Sequence, residues 1–204
     1  MNQSLIYHGG GMGGGGGFAG AAAASEKYLF ERIYISATEL KAHSTQPPNG
    51  PATRALPTTI NTFVWIFTST ELDLVTAWFS LPSRYWKYQI AAPTECTLRL
   101  YWYTDNTSAN VIAWRHELNY VRNVETLNFA PPALANSDLA AGTQYLLNVT
   151  TLANYAINNP SGSAAETEGM FYVKVGRDGA AAADTFGFEA FLLGLSVEFP
   201  LKYP

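Results

Sequence analysis

Gly169-Met-Phe-Tyr-Val-Lys-Val175 and Phe186-Gly-Phe-Glu-Ala-Phe-Leu-Leu-Gly-Leu-Ser-Val-Glu-Phe199, separated by Arg177-Asp-Gly-Ala-Ala-Ala-Ala-Asp-Thr185, decide the fold class of this chain. Phe171, Val173 and Val175 share one face of an extended chain, and Tyr172 and Lys174 share the other. A two-residue apolar period marks a strand buried on one side, because successive side chains of a strand point to opposite faces. The small-residue loop between the two stretches has the composition of a turn, so the pair reads as two β-strands.

Working outward, strands are predicted at about Thr62 to Thr68, Leu72 to Leu81, Cys96 to Tyr103, Val111 to Val121, Gln144 to Thr150, Met170 to Gly176 and Phe186 to Phe199. No segment elsewhere carries a clean 3.6-residue apolar stripe, so the expected class is all-β, a jelly-roll-like β-sandwich. In Cys96 to Tyr103, Leu98, Leu100 and Trp102 lie on one side and Arg99, Tyr101 and Tyr103 on the other. The second side either faces a subunit or forms a solvated aromatic face. Ile112, Trp114, His116, Leu118 and Tyr120 likewise alternate with Ala113, Arg115, Glu117 and Asn119. The two prolines, Asn136, Asp138 and Gly142 between Ala130 and Gly142 read as a crossover between sheets rather than a hairpin.

The N-terminal part differs in composition. Eight of the 17 glycines fall between Gly9 and Gly17, followed by Phe18-Ala-Gly-Ala-Ala-Ala-Ala24. Such a run buries no side chains and loses much backbone entropy on ordering, so residues 1–26 are expected to form a flexible Gly-rich arm. It lacks the Lys-Ser/Thr that closes a phosphate-binding loop, and Phe18 stands there instead. Leu5, Ile6 and Tyr7 make a small apolar plug near the tip, suited to docking on a neighbour. Residues 27–57 are expected to hold a first strand, pairing outside the main sandwich, and a Pro-rich linker around Gln46-Pro-Pro-Asn-Gly-Pro51. Residues 58–204 then form the sandwich domain.

Composition excludes several classes of function. The net charge is −4, and no Lys/Arg cluster is present to meet a phosphate backbone, so nucleic acid is not an expected partner. Cys96 is the single cysteine, which rules out an intrachain disulfide or a multi-cysteine metal site. It is expected as a small buried group at the start of a strand. No basic leader with an apolar stretch opens the chain, and Ala19 to Ala24 is far shorter than the ~20 residues of a membrane span. The expectation is a protein made in the cytoplasm without a membrane partner. His116 reads as a packed core residue, and the Asp178 and Asp184 flanking the alanine loop as turn caps rather than calcium ligands. The other carboxylates show no spacing that places two across a glycosidic bond. No catalytic residue, metal site or cofactor is expected.

Charged residues make up only 14% of the chain, against about a quarter in an average domain, while aromatics also reach 14%. That balance points to aromatic surface covered by a partner, most simply a second copy. The turn Leu81-Pro-Ser-Arg-Tyr-Trp-Lys-Tyr88 adds Tyr85, Trp86 and Tyr88 as candidate contact residues beside Leu5, Ile6, Tyr7 and Phe18.

Phe63-Val-Trp-Ile-Phe-Thr68, Val75-Thr-Ala-Trp-Phe-Ser-Leu-Pro-Ser83, Leu98-Arg-Leu-Tyr-Trp-Tyr103, Val111 to Tyr120, Phe171-Tyr-Val-Lys-Val-Gly-Arg-Asp178, Ala183-Asp-Thr185 and Leu192-Leu-Gly-Leu195 follow one another in this order. Together they resemble a widespread family of jelly-roll virion structural proteins of tailed bacteriophages. The aromatic turn and the glycine arm depart from that family's pattern. The resemblance implies strands and turns, and brings no catalytic residue. The glycine arm, able to lie along a neighbouring subunit, tilts the expectation within that family to a capsid decoration or cement protein, a homotrimer clamping the major capsid protein at the capsid surface. The alternative it leaves open is a receptor-binding tail fibre or knob whose aromatic loop residues contact host-surface glycans.

Overall fold

The computed structural model describes residues 28–56, 61–81, 89–90, 95–121, 134–156 and 169–202. These contain no helix and form two antiparallel sheets. The strands are β1 (Tyr28–Ser36), β2 (Lys41–Ala42), β3 (Pro51–Ala55), β4 (Asn61–Phe67), β5 (Leu72–Phe79), β6 (Gln89–Ile90), β7 (Glu95–Tyr103), β8 (Val111–Val121), β9 (Leu134–Leu139), β10 (Asn148–Ala156), β11 (Met170–Asp178) and β12 (Ala190–Lys202). The first sheet has seven strands, ordered β10-β7-β12-β4-β3 with β1 and β6 also on β12, and the second has five, ordered β2-β5-β11-β8-β9. From β4 to β12 the chain passes repeatedly between the sheets, giving the expected jelly-roll-like sandwich.

Strand β12 organises the first sheet. Ala190 to Leu192 pair with β4, and Gly194 to Lys202 pair with β1, so two strands follow one another along the same flank. On the other flank β7 pairs with Phe191 to Glu198, with a register shift between Leu192 and Gly194. This bulge explains a break in the sequence period. Ala190 and Leu192 face the core before it, and Leu195, Val197, Phe199 and Leu201 after it, all fully buried. The inserted residue moves the apolar phase from even to odd positions. Glycine is required there because a Cβ on Gly194, at φ +157°, would lie 2.6 Å from the Ile35 carbonyl oxygen of β1.

Between the sheets lies one aromatic-rich core. Trp102 and Trp114 face each other at 5.3 Å, and Phe171 contacts Phe199 at 4.8 Å, Tyr120 at 5.0 Å and Phe79 at 5.4 Å. Cys96 is completely buried at the head of β7, as its position in the sequence implied. A second cluster of Val64, Ile66, Tyr103 and Phe191 sits on the outer side of the first sheet, with Ala52, Leu56 and Leu193 packed on it. At the open side, Trp102 Nε1 donates to Thr150 Oγ1 at 2.7 Å and Thr150 donates to Asp138, linking β7, β10 and β9.

Several expectations need correction. Strand β1 does not pair outside the sandwich: from Tyr28 to Ser36 it runs against β12, because Ile33 and Ile35 supply inward apolar groups. The Pro-rich region after it contributes β2 to one sheet and β3 to the other, so the described sandwich begins at Tyr28. The last strand starts at Ala190 rather than Phe186, because Arg177 takes the carbonyls of Phe186 and Phe188 as hydrogen-bond acceptors. The strand expected from Gln144 starts at Asn148, because Tyr145 adopts φ 59° and donates its N–H to the Thr104 carbonyl at 2.7 Å. The stretch Ala130 to Gly142, expected as a crossover, instead holds β9, which pairs antiparallel with β8 in the same sheet, and the chain crosses to the first sheet only between Leu139 and Asn148.

Candidate functional site

The end of β11 places a buried ion pair beneath the adjoining surface loop. Arg177 continues the inward face of Phe171, Val173 and Val175, which places a guanidinium inside the sandwich with none of its side chain exposed. A buried charge is tolerated only when it is paired and hydrogen-bonded. Asp184 supplies the partner: its two oxygens accept from Arg177 at 2.6 and 2.8 Å, and they also accept from the N–H groups of Ala113 at 3.0 Å and Phe186 at 3.2 Å. Asp178 is held by Arg115 at 2.7 Å. Asp184 thus caps the loop as expected, whereas the Asp178 carboxylate pairs with the Arg115 guanidinium of β8 rather than with loop N–H groups.

Arg177 also grips the chain carbonyls of Phe186 and Phe188. Phe186 is buried, whereas Phe188 stands 47% exposed with its ring 5.7 Å from that of Phe186. Beside Phe188 opens a groove of about 410 Å³, walled by Thr68, Ser69 and Thr70 of the β4–β5 turn, by Asp105 of the β7–β8 loop, and by Gly187 and Glu189. The turn wall is held by Asp73, whose carboxylate accepts from the Thr68 N–H and, at 2.8 Å, from its hydroxyl. Glu189 is paired with Arg54 at 3.1 Å, and the Arg54 guanidinium lies 4.8 Å over the Phe191 ring.

The outer face of the first sheet carries exposed aromatic side chains. Phe30 is 64% exposed and Tyr34 53% exposed on β1, and Val149 of β10 is 48% exposed at the register position opposite Tyr101. Tyr34 and Tyr101 rings are 5.4 Å apart, and the Tyr101 hydroxyl is 3.0 Å from Ser196 Oγ. Between them Glu198 bridges Arg32, whose Nε donates at 3.1 Å, and Arg99 at 3.6 Å. Burial raises the Tyr34 phenol, with Tyr101 and Glu39 adding to the shift. The outward side of β7 thus divides: Arg99 and Tyr101 reach this surface, while Tyr103 is buried against Phe191 at 5.0 Å.

The outer face of the second sheet is more polar. Trp78, 44% exposed, packs its ring 4.9 Å from Tyr172, and Lys174 Nζ lies 2.7 Å from Glu117 Oε2, with Asn119 donating to the other Glu117 oxygen. Burial lowers the basicity of His43 beside this pair, Lys174 acting in the same direction and Glu117 against it. His116 lies in the core on the Trp114 and Leu118 face, 2% exposed. Burial pushes the Cys96 thiol far up.

Of the carboxylates considered from sequence, Asp73, Glu117, Asp138, Asp178, Asp184 and Glu189 are all engaged in the contacts above or in the Thr150–Asp138 bond. Among the described residues no group of three or more His, Cys, Asp or Glu is placed to hold a metal ion. Leu5, Ile6, Tyr7, Phe18, Tyr85, Trp86 and Tyr88, the contact residues expected from sequence, lie outside the described residues, as does the glycine arm. Phe30, Tyr34 and Phe188 were missed. The alternation in Tyr28 to Tyr34 already carried the first two, but Phe188 was taken as an element of a strand.

No family model matches the chain, and no curated protein matches it. Solved structures do. The carbohydrate-binding module CBM36 in complex with calcium and xylotriose is 11% identical with a TM-score of 0.41, over 80% of this chain and 97% of that one. The CBM36-1 domain of a multidomain xylanase from the hindgut metagenome of Trinervitermes trinervoides is 11% identical with a TM-score of 0.39, over 82% and 96%. A xylan-binding domain from CBM 22 is 11% identical with a TM-score of 0.36, over 82% and 88%. Likeness at this level concerns the all-β sandwich architecture alone.

Proposed function

We propose that this chain is a virion structural protein of a tailed bacteriophage that works by binding, without catalysis: a capsid decoration protein, homotrimeric, attached to the major capsid protein at the outer surface of the shell. The observation that carries the reading is the outer face of the first sheet, where Phe30, Tyr34 and Val149 stand exposed around the Arg32–Glu198–Arg99 network. Exposed apolar side chains gathered on one face are the usual character of a protein-docking surface. The ordered motifs quoted from the sequence support the assignment to virion proteins. The arm, with Leu5, Ile6, Tyr7 and Phe18, supplies a second attachment, and synthesis takes place in the host cytoplasm.

The test uses shells stripped of accessory proteins. Phe30→Lys with Tyr34→Ala should lower co-sedimentation with shells at least about tenfold, a loss of about 1.4 kcal/mol, while leaving the melting temperature within a few degrees of the parent. Undiminished decoration by this variant, or absence of the chain from purified particles, overturns the proposal.

A second reading, a receptor-binding tail knob that contacts host-surface glycans, is favoured by one feature: the groove beside the exposed ring of Phe188. Copy number in purified virions separates the two readings. Shell-like stoichiometry supports the capsid, and a few copies per particle support the tail.

A further inference from the structure

We propose that the groove at the loop end of the sandwich is a saccharide-binding site, with the Phe188 ring as stacking platform and the Thr68 to Thr70 hydroxyls and the Asp105 carboxylate as hydrogen-bonding partners. The inference rests on the second reading above, that the chain contacts saccharides, and adds the site and its chemistry.

Size admits a small ligand. The groove holds about 410 Å³, inside the range of roughly 300–1,000 Å³ usual for ligand pockets. Its lining selects the class. Among the described residues no lysine or arginine lines it, and the nearby Arg54 is committed to Glu189 and to the face of Phe191. Glu189 is offset by Arg54, and the Asp105 carboxylate adds a negative charge that disfavours an anionic ligand. A wholly apolar ligand would strip water from three hydroxyls and a carboxylate and give nothing back. A divalent cation needs several converging oxygen ligands, and the described residues gather no group of three acids or other strong ligands. A neutral polyhydroxyl compound with one C–H-rich face satisfies both parts of the lining: its face covers the ring and its hydroxyls exchange hydrogen bonds with the rim.

The walls are also set in advance. Arg177, buried and paired with Asp184, holds the carbonyls of Phe186 and Phe188. Phe186 is sunk in the core, and Phe188 is presented to solvent. Opposite, Asp73 fixes Thr68 by two bonds and leaves the lone pairs of its hydroxyl as acceptors. Preorganised walls reduce the ordering cost of binding. Arg177, Asp184 and Asp73 are positioning residues here, while Phe188, Asp105 and the Thr68 to Thr70 hydroxyls make contact.

Gly187 supplies a clean perturbation. A Cβ built on it meets no atom within 4 Å, so a larger side chain enters the groove without displacing protein atoms. The experiment applies the full chain to an array of cello-, malto- and chito-oligosaccharides and bacterial O-polysaccharide fragments, then measures affinity for the best binder in solution. Phe188→Ala and Gly187→Leu should each weaken binding about tenfold or more, in keeping with loss of a stacking contact or blockage of the groove, with melting temperatures close to the parent. If Phe188→Ala unfolds, Gly187→Leu alone decides. Binding by the parent that both folded variants retain places the saccharide elsewhere and overturns the site, leaving the second reading intact. No binding by the parent to any immobilised saccharide overturns both.

Discussion

Replacing Asp184 by alanine removes one half of an ion pair whose side chains are 0% and 1% exposed. Arg177 then keeps its charge inside the sandwich with only the two chain carbonyls for company. Truncating one partner of a buried pair costs about 3–5 kcal/mol, because the remaining charge cannot recover its hydration. The N–H groups of Ala113 and Phe186 lose an acceptor as well, and each net hydrogen bond is worth about 1 kcal/mol. A total of about 5–7 kcal/mol is a large share of the roughly 5–15 kcal/mol that holds a domain folded. For a domain of this size each kcal/mol lowers the melting temperature by about 2–4 °C, so Asp184→Ala should melt at least about 10 °C below the parent. Urea unfolding followed by tryptophan emission gives the free energy, with the slope checked for constancy. Arg177→Met completes a cycle. Because the two groups act as one unit, the double variant should be more stable than the sum of the singles implies, by about 1–3 kcal/mol. A loss below about 1 kcal/mol in Asp184→Ala, or strict additivity, would refute the claim that this pair holds the loop end together.

Two further outcomes follow from local geometry. A Cβ on Gly176 would fall 1.8 Å from the Asp73 carbonyl oxygen across the β11–β5 pair, so Gly176→Ala should cost at least about 2 kcal/mol, whereas Gly187→Ala should leave the thermal melt unchanged. Burial keeps the Cys96 thiol protonated far into the alkaline range, so iodoacetamide at pH 8 should leave the native chain unlabelled and label it fully in urea. Rapid labelling without denaturant would show that the head of β7 opens.

Much of the sandwich was legible in residue order. The period-two stretches in β7, β8 and β11 located the strands and their buried faces, because a strand half in water must alternate. Cys96 and His116 were placed in the core for the same reason. The role of Asp184 as a loop cap was also legible, since a turn carboxylate has nearby N–H groups to accept from, whereas the pairing of Asp178 with Arg115 across the sheet was not. The short strands β2, β3 and β9 were not predicted as strands, and their lengths of two, five and six residues explain why. Segments this short owe their conformation to the strand beside them, and carry little period of their own.

By itself, then, the order of residues determined an all-β chain of low charge with apolar faces on identifiable strands, since alternation and composition are local properties. Tertiary structure decided which strand sits beside which, that β1 runs along β12 rather than outside the sandwich, and that Arg177 enters the core to meet Asp184. It also decided that Phe188 leaves the sheet and stands beside a groove. The physical reason is that a charge placed among apolar groups must find its partners wherever the chain can bring them. Those partners lie seven to eleven residues away along the chain, beyond the reach of any two-residue or four-residue pattern.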